Sequence, residues 1–226
     1  PVEPQKPQPK PQPQPQPQPK PQPKPQPKPN DKDCKDCVDD HNQNNTYGNV
    51  DKNPGNIIHV DGSTKDKKGA TKTVGTDKKD TIYGTSGEDV IYGGDGADVI
   101  YGGDGNDTLQ GGNNGDSLYG QAGKDYLQGG DGNDYLNGGA DADIMRGGDG
   151  NDVYFVDHKG DEVIEYGNLN GGIDTVRSVI DYTLTDNVEH LFLQGSGNLN
   201  GTGNALNNDI NGNSGDNHLY GLAGDD

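Results

Sequence analysis

A nine-residue repeat runs from Gly75 to Phe155 and constrains the fold more than any other feature of the chain. From Gly84 the nonapeptides read GTSGEDVIY, GGDGADVIY, GGDGNDTLQ, GGNNGDSLY, GQAGKDYLQ, GGDGNDYLN, GGADADIMR and GGDGNDVYF, and GTDKKDTIY precedes them in the same frame. The consensus is G-G-x-G-x-D-x-U-x, in which U is a large apolar residue. A fold for this segment must therefore repeat one small structural unit.

The two halves of the nonapeptide predict different local structures. The apolar eighth position lies between two outward-pointing residues, which indicates a minimal strand whose centre faces inward. The glycine-rich half turns the chain, since Gly, Asn and Asp tolerate positive φ, and Asn114 and Asp141 replace the fourth-position glycine where it is missing. Two nonapeptides then form one coil of 18 residues. The predicted fold class is all-β, a right-handed parallel β-roll or β-solenoid that follows a disordered proline-rich spacer.

This coil has a thin core and concentrates negative charge, and both properties point to a metal ion. One buried aliphatic side chain per nine residues does not offset the conformational entropy lost on ordering them. The sixth position is always Asp, and the coil places these residues in two columns: Asp89, Asp107, Asp125 and Asp143 in one, and Asp98, Asp116, Asp134 and Asp152 in the other. Neighbouring carboxylates repel unless a cation separates them, and hard oxygen ligands suit Ca²⁺.

We therefore expect a disordered acidic chain without Ca²⁺ and a folded roll with it. A solvated low-complexity linker is one alternative, but a linker has no reason to keep the eighth position apolar. A metal-free solenoid is another, and the thin core argues against it.

The repeat resembles the calcium-binding nonapeptide repeat of RTX, or haemolysin-type, proteins. The resemblance implies a bacterial protein that leaves the cell through a type I secretion exporter and folds outside, either secreted or at the cell surface. It places the calcium ligands on the sixth-position aspartates from Asp89 to Asp152. Turn carbonyls would complete the coordination, from residues such as Gly94, Asp95, Gly103 and Asp104. Five residues near two of the turns depart from the motif: Asn113, Asn114, Gln121, Ala122 and Lys124.

The preferred function is a non-enzymatic calcium-binding module within a larger secreted or surface protein. The alternatives are a structural stalk of a bacterial adhesin, or the companion of a toxin, protease or lipase domain that lies outside this sequence. The sequence contains no H-E-x-x-H motif and no Ser/His/Asp set. Its formal net charge of -19 argues against nucleic-acid and anionic-membrane partners. The chain opens without Met and ends within a nonapeptide, so we expect it to be a fragment.

The residues before the repeat form two expected segments. Residues 1–29 alternate proline with Gln or Lys, which predicts an extended polyproline II spacer. Residues 30–74 form an acidic and polar linker that contains Cys34 and Cys37, which we interpret as a local disulfide or free thiols, with half a zinc site as the alternative. Within this linker, residues 57–60 predict a brief strand, and His59 is expected to be a packed or surface residue.

After the nonapeptide block at 75–155, residues 156–202 predict a solenoid spacer with wider coils. Its expected strands are Glu162–Glu165, Asp174–Val179, Tyr182–Leu184 and Val188–Leu193, with a core of Val176, Leu184, Val188, Leu191 and Leu193. Residues 203–226 resume the nine-residue spacing as a second, truncated block. Its sixth positions are Asn208, Asn217 and Asp226, so Ca²⁺ binding should be weak or absent there. On the outer face of the first block, Tyr83, Tyr101 and Tyr119 form a row that we interpret as cross-strand stacking rather than a contact surface.

Overall fold

A computed structural model describes residues 57–60, 70–167 and 171–226. These residues form an all-β parallel β-solenoid of about eight turns, and no helix occurs among them. The predicted polyproline spacer at 1–29, most of the linker at 30–74 and the pair Cys34 and Cys37 lie outside the described residues. The described part of the chain also contains no helix that is long and apolar enough to cross a membrane.

The solenoid contains eighteen strands in the described ranges. The strands of the linker and the nonapeptide block are β1 (Ile57–His59), β2 (Thr71–Val74), β3 (Thr81–Tyr83), β4 (Asp89–Asp95), β5 (Val99–Asp104), β6 (Thr108–Asn113), β7 (Ser117–Ala122), β8 (Tyr126–Asp131), β9 (Tyr135–Ala140), β10 (Ile144–Asp149) and β11 (Val153–Val156). The strands that follow are β12 (Glu162–Ile164), β13 (Thr175–Ser178), β14 (Tyr182–Thr183), β15 (His190–Leu193), β16 (Asn200–Thr202), β17 (Asp209–Asn211) and β18 (His218–Tyr220).

Alternate strands pair in parallel, which is the arrangement that an 18-residue coil requires. One sheet has nine strands in the order β1-β3-β5-β7-β9-β11-β13-β15-β17, a second has the order β12-β10-β8-β6-β4-β2, and a third has the order β14-β16-β18. Ile100 pairs with Leu118 in the first sheet, and Leu109 pairs with Leu127 in the second. The predicted coil of two nonapeptides is therefore confirmed.

Most strands of the block are longer than the three-residue minimum that the sequence suggested. Strands β5 to β10 have six residues each, because the pairing continues through the first three positions of the next nonapeptide. Gly94, for example, pairs with Gly112. The glycine-rich half of the repeat is therefore partly strand, and the sharp turn is confined to its middle.

The eighth-position side chains fill the interior of the roll. All nine have no solvent exposure: Ile82, Ile91, Ile100, Leu109, Leu118, Leu127, Leu136, Met145 and Tyr154. The same cluster continues into the spacer and contains every core residue predicted there, namely Val176, Leu184, Val188, Leu191 and Leu193. A single narrow core thus runs through the nonapeptide block and the spacer.

The spacer keeps the solenoid but changes the coil length. Its four predicted strands are present in shortened form as β12, β13, β14 and β15. Backbone N–H groups hydrogen-bond to carboxylates of the next coil, and these bonds measure the coil length. The bond from Asp152 to Asp174 spans 22 residues, and the bond from Asp174 to Glu189 spans 15 residues. The expectation of wider coils is therefore correct for the first of these intervals and wrong for the second.

The predicted tyrosine row stacks along the outer face of the nine-stranded sheet. The ring centroids of Tyr83 and Tyr101 lie 5.0 Å apart, and those of Tyr101 and Tyr119 lie 4.9 Å apart, with nearly parallel planes. His59 extends the row at 5.1 Å from Tyr83, as a surface residue of β1. Stacked rings at this spacing stabilise neighbouring coils, since offset aromatic pairs are favourable at centroid distances of about 4.5–7 Å.

Candidate metal centre

The sixth-position aspartates form two buried columns that run along the solenoid. All nine, from Asp80 to Asp152, are at most 3% exposed. The backbone N–H of each donates to Oδ1 of the aspartate one coil further on: Asp98 to Asp116 at 2.7 Å, for example. The columns expected from the sequence are therefore present, and a main-chain hydrogen bond connects each pair of neighbours.

Both columns continue beyond the nonapeptide block. The N–H of Asp143 donates to Asp161, that of Asp152 donates to Asp174, and that of Asp174 donates in turn to Glu189. These three acceptors were not predicted from the sequence because the nine-residue frame ends at Phe155. A weaker signal was present, since Asp161 and Asp174 each precede a buried valine by two residues, as the sixth position precedes the eighth.

The second carboxylate oxygen separates the aspartates into two groups. In seven of them Oδ2 is buried and has no hydrogen-bond partner among the described residues: Asp98, Asp107, Asp116, Asp125, Asp134, Asp143 and Asp152. In Asp80 and Asp89, Oδ2 accepts the N–H of Thr76 and Thr85, respectively, at 2.6 Å, and also the threonine hydroxyl. Asp80 and Asp89 each retain an unpartnered Oδ1.

The residue at the second position of the nonapeptide explains this division. The seven unpartnered oxygens all follow a second-position residue with positive φ: Gly94, Gly103, Gly112, Gln121, Gly130, Gly139 and Gly148. Thr76 and Thr85 are not in the left-handed region, and their N–H groups reach the carboxylate four residues later. Left-handed backbone at the second position therefore leaves Oδ2 free. Gln121 departs from the motif in side chain only, because its φ of 83° matches that of the glycines.

At the first-position glycines Gly93, Gly102 and Gly120, a main-chain carbonyl oxygen lies beside the free carboxylate oxygen. A Cβ at Gly102 would lie 2.3 Å from Oδ2 of Asp107 and 2.8 Å from the carbonyl oxygen of Gly120. The equivalent point at Gly93 is 2.4 Å from Oδ2 of Asp98 and 2.5 Å from the carbonyl oxygen of Gly111. Glycine is therefore needed here because a side chain would clash with hard oxygen atoms, which are the ligands that Ca²⁺ prefers.

The electrostatics of the columns also fit a cation. Burial, with smaller contributions from the carboxylates above and below in the same column, raises the pKa of Asp107 to about 7 and that of Asp134 to about 8. The hydrogen bond from the neighbouring backbone N–H opposes the shift. A buried carboxylate with one free oxygen is costly unless a positive charge balances it.

The four residues expected as turn carbonyl ligands are instead the last two residues of strands β4 and β5. Gly94 and Gly103 have positive φ, and the carbonyl oxygen of Gly94 points toward Gly112 in the next coil. The side chains of Asp95 and Asp104 are exposed, and Oδ1 of Asp95 accepts a hydrogen bond from the Asn113 side chain at 2.6 Å. For both aspartates, the main-chain carbonyl stays the predicted ligand.

Asn208 in the second block replaces the ion contacts with hydrogen bonds of its own. Its Oδ1 accepts the N–H of Asn204 at 2.7 Å, and its Nδ2 donates to the carbonyl oxygens of Val188 and Glu189. Asn217 likewise donates from Nδ2 to Asn213. Amide side chains therefore join these coils through protein groups, and weak or absent Ca²⁺ binding in this block stays a prediction.

The comparison with protein families follows the same segments. Residues 74–109, 101–136, 110–145, 119–154 and 202–226 match the RTX calcium-binding nonapeptide repeat. No curated protein shows a significant match to the chain. RTX nonapeptide repeats bind Ca²⁺, and their β-roll is a structural, non-catalytic fold. The chain's repeat, its parallel solenoid and its buried aspartate columns support an RTX-type repeat protein, with the family match at residues 74–154 and 202–226.

Proposed function

We propose that this chain is a calcium-dependent folding module of a larger protein that acts outside the bacterial cell. The ions bind between coils at the seven aspartates whose Oδ2 is free: Asp98, Asp107, Asp116, Asp125, Asp134, Asp143 and Asp152. Turn carbonyls such as those of Gly94, Asp95, Gly103 and Asp104 complete the coordination. One observation carries the proposal, namely seven buried carboxylate oxygens without a partner among the described residues.

Calcium binding and folding are coupled in this account because each requires the other. Without an ion, folding buries ionised carboxylates in columns where like charges are one coil apart, and this opposes stacking. With an ion, the same oxygens supply binding free energy, and that free energy becomes folding free energy. At the low Ca²⁺ concentration of the cytosol the chain stays unfolded and can pass a type I exporter, and it folds outside.

The proposed domain limits follow the distribution of these oxygens. Residues 75–155 form the calcium-binding block, 156–202 a solenoid spacer, and 203–226 a second block in which amides replace most of the carboxylates. Residues 1–29 and 30–74 serve as spacer and linker. Asp89 differs from the seven because Thr85 occupies its Oδ2, so its role as a ligand would have to use Oδ1.

A stalk in a surface adhesin is the second candidate, and the continuity of the main sheet favours it. The nine-stranded sheet extends from β1 to β17 and is not interrupted at the spacer. Such a solenoid is stiff because each coil packs on the next. The two functions are compatible, since calcium would stiffen the stalk at the moment it folds.

A calcium titration of the full chain followed by far-UV circular dichroism tests the proposal. We expect a transition from coil to β structure at about 10⁻⁴–10⁻³ M Ca²⁺, the usual range of extracellular calcium modules, and no transition with Mg²⁺ at the same concentrations. Asp116→Asn retains an acceptor for the Asp98 N–H but removes the charge, so it should raise the midpoint by about tenfold, or ~1.4 kcal/mol.

Asp77→Asn is the matched control, because the Asp77 side chain is exposed and the residue lies outside both the columns and the proposed carbonyl ligands. It should leave the midpoint unchanged. A chain that is already rich in β structure in chelator, or that stays unfolded at about 10 mM Ca²⁺, roughly ten times the weak end of the range, would contradict the proposal.

A further inference from the structure

Three carboxylates from successive coils meet where the nonapeptide block joins the spacer. Asp152, Glu165 and Asp174 each offer an oxygen atom, and these atoms lie within 4.8 Å of one another. Their side chains are 1%, 7% and 1% exposed, respectively. Only Asp152 belongs to the nonapeptide repeat, because Glu165 follows β12 and Asp174 precedes β13.

An unpartnered oxygen is directed into this cluster. Oδ2 of Asp152 is buried and has no hydrogen-bond partner among the described residues. A Cβ at Gly147 would lie 2.0 Å from this atom, 2.2 Å from the Tyr154 hydroxyl and 2.5 Å from Oε1 of Glu165. The three oxygens therefore converge on one point beside Gly147, where any side chain would clash with all of them.

Tyr154 shows that the cluster is specific to this coil. It is the only eighth-position residue of the nonapeptide block that carries a polar atom; the other eight are Ile, Leu or Met. Its hydroxyl hydrogen-bonds Oε1 of Glu165 inside the core. The hydroxyl thus fixes the orientation of Glu165 toward Asp152, and the N–H of Asp152 donates to Oδ1 of Asp174 at 2.8 Å, which fixes the third carboxylate.

We propose that Asp152, Glu165 and Asp174 bind one divalent cation of the Ca²⁺ type at the end of the nonapeptide block. Oxygen atoms within 4.8 Å of one another can all contact one ion at calcium–oxygen distances of about 2.3–2.6 Å. The nonapeptide sites combine a carboxylate with main-chain carbonyls, whereas this site has three carboxylates. It is therefore the site of highest negative charge, and it fills at the lowest Ca²⁺ concentration. The inference rests on the proposed function only in sharing Asp152.

Native mass spectrometry of the full chain, which counts bound Ca²⁺ ions, tests the site through Glu165. Glu165→Gln should bind one ion fewer than the wild type, and the missing ion should be the one that binds first. Glu162→Gln is the matched control, because Glu162 is an exposed carboxylate of the preceding strand. It should bind as many ions as the wild type.

Tyr154→Phe separates ion binding from a purely structural role. It removes the hydrogen bond to Glu165 but no carboxylate, so it should retain the full ion count. If Glu165 only satisfies the Tyr154 hydroxyl, Glu165→Gln will keep the wild-type count and the inference is overturned. A wild type that binds no Ca²⁺ at all would overturn both this site and the proposed function, whereas an unchanged count in Glu165→Gln overturns this site alone.

Anomalous diffraction from wild-type crystals grown with Tb³⁺, a calcium substitute, provides a second measurement that does not depend on how a variant folds. A peak among the three carboxylates supports the site. Peaks confined to the nonapeptide columns overturn it.

Discussion

Replacing Gly102 with alanine tests whether the roll needs the close approach of the free Asp107 oxygen to residue 102. The backbone of Gly102 is outside the left-handed region, so alanine is compatible with its conformation. The added methyl group, however, would lie 2.3 Å from Oδ2 of Asp107 and 2.8 Å from the carbonyl oxygen of Gly120. Both distances are shorter than ordinary contacts of 3.4–4 Å, so the carboxylate or the next coil must move.

The expected effect follows from these two contacts. Inserting a methyl group where packing is already tight destabilises a protein by about 1–3 kcal/mol. Gly87→Ala is the matched control, because Gly87 also lies outside the left-handed region and its nearest neighbour is 3.9 Å away. Alanine reduces the entropy of the unfolded chain by a similar amount in both variants, about 0.4–1 kcal/mol. The difference in unfolding free energy between the two variants should therefore be about 1–3 kcal/mol.

Equilibrium urea denaturation at saturating Ca²⁺ measures this difference directly, and a calcium titration shows whether the ion site is affected. Gly102→Ala should unfold at lower urea and fold at higher Ca²⁺ than Gly87→Ala. Equal stability and equal calcium midpoints for the two variants would refute the view that the oxygen atoms beside Gly102 form a tightly packed ion site.

Two further predictions concern the columns and the tyrosine row. In chelator, circular dichroism should show more β structure as the pH falls from about 8 to about 5. The pKa values of Asp98, Asp107 and Asp134 in the folded state are about 6, 7 and 8, above the ordinary 3.8. The folded state therefore binds more protons than the unfolded state, and its stability decreases as the pH rises through that window. A flat pH profile would contradict the buried, uncompensated carboxylates. Tyr101→Ala should destabilise the calcium-loaded roll by about 1–3 kcal/mol in urea denaturation, since it removes two stacked contacts of about 0.5–1.5 kcal/mol each, whereas Tyr101→Phe should retain most of this stability. Equal losses in both variants would show that ring stacking is not the cause.

The fold was predictable because the sequence of each nonapeptide determines its local structure. The period places every eighth residue inside and every sixth residue at a coil edge, and the 18-residue register then brings Asp98 next to Asp116 without any long-range information. Asn114 and Asp141 were expected in the left-handed region, and their φ values of 75° and 80° confirm this.

The roles of individual oxygen atoms were not predictable from the repeat. Whether Oδ2 is free depends on the backbone conformation of the second position, and Gln121 adopts a glycine-like φ that its residue type does not suggest. Glu165 was missed for a different reason. Glu165 lies in register with the first-position glycine Gly147, because β12 pairs with β10 at the regular 18-residue spacing, but beyond Phe155 the sequence no longer shows the motif that would reveal this register.

The seven aspartates with a free Oδ2 have two roles, and in the proposed function these roles couple ion binding to the stacking of coils. Oδ1 accepts a hydrogen bond from the preceding coil, so the carboxylate must be held in place for that coil to stack, while Oδ2 faces the ion space. An ion that fixes one carboxylate therefore also fixes the acceptor for the neighbouring coil, as expected for a solenoid in which each repeat stabilises the next.

The aspartate columns start where the N–H groups of Thr76 and Thr85 donate to the Oδ2 atoms of Asp80 and Asp89. They pass to protein donors again at Asp161, whose Oδ2 accepts the N–H groups of Asp157 and His158. Under the proposed function, the residues that donate to the second oxygen would determine where calcium-dependent coils begin and end along a continuous sheet.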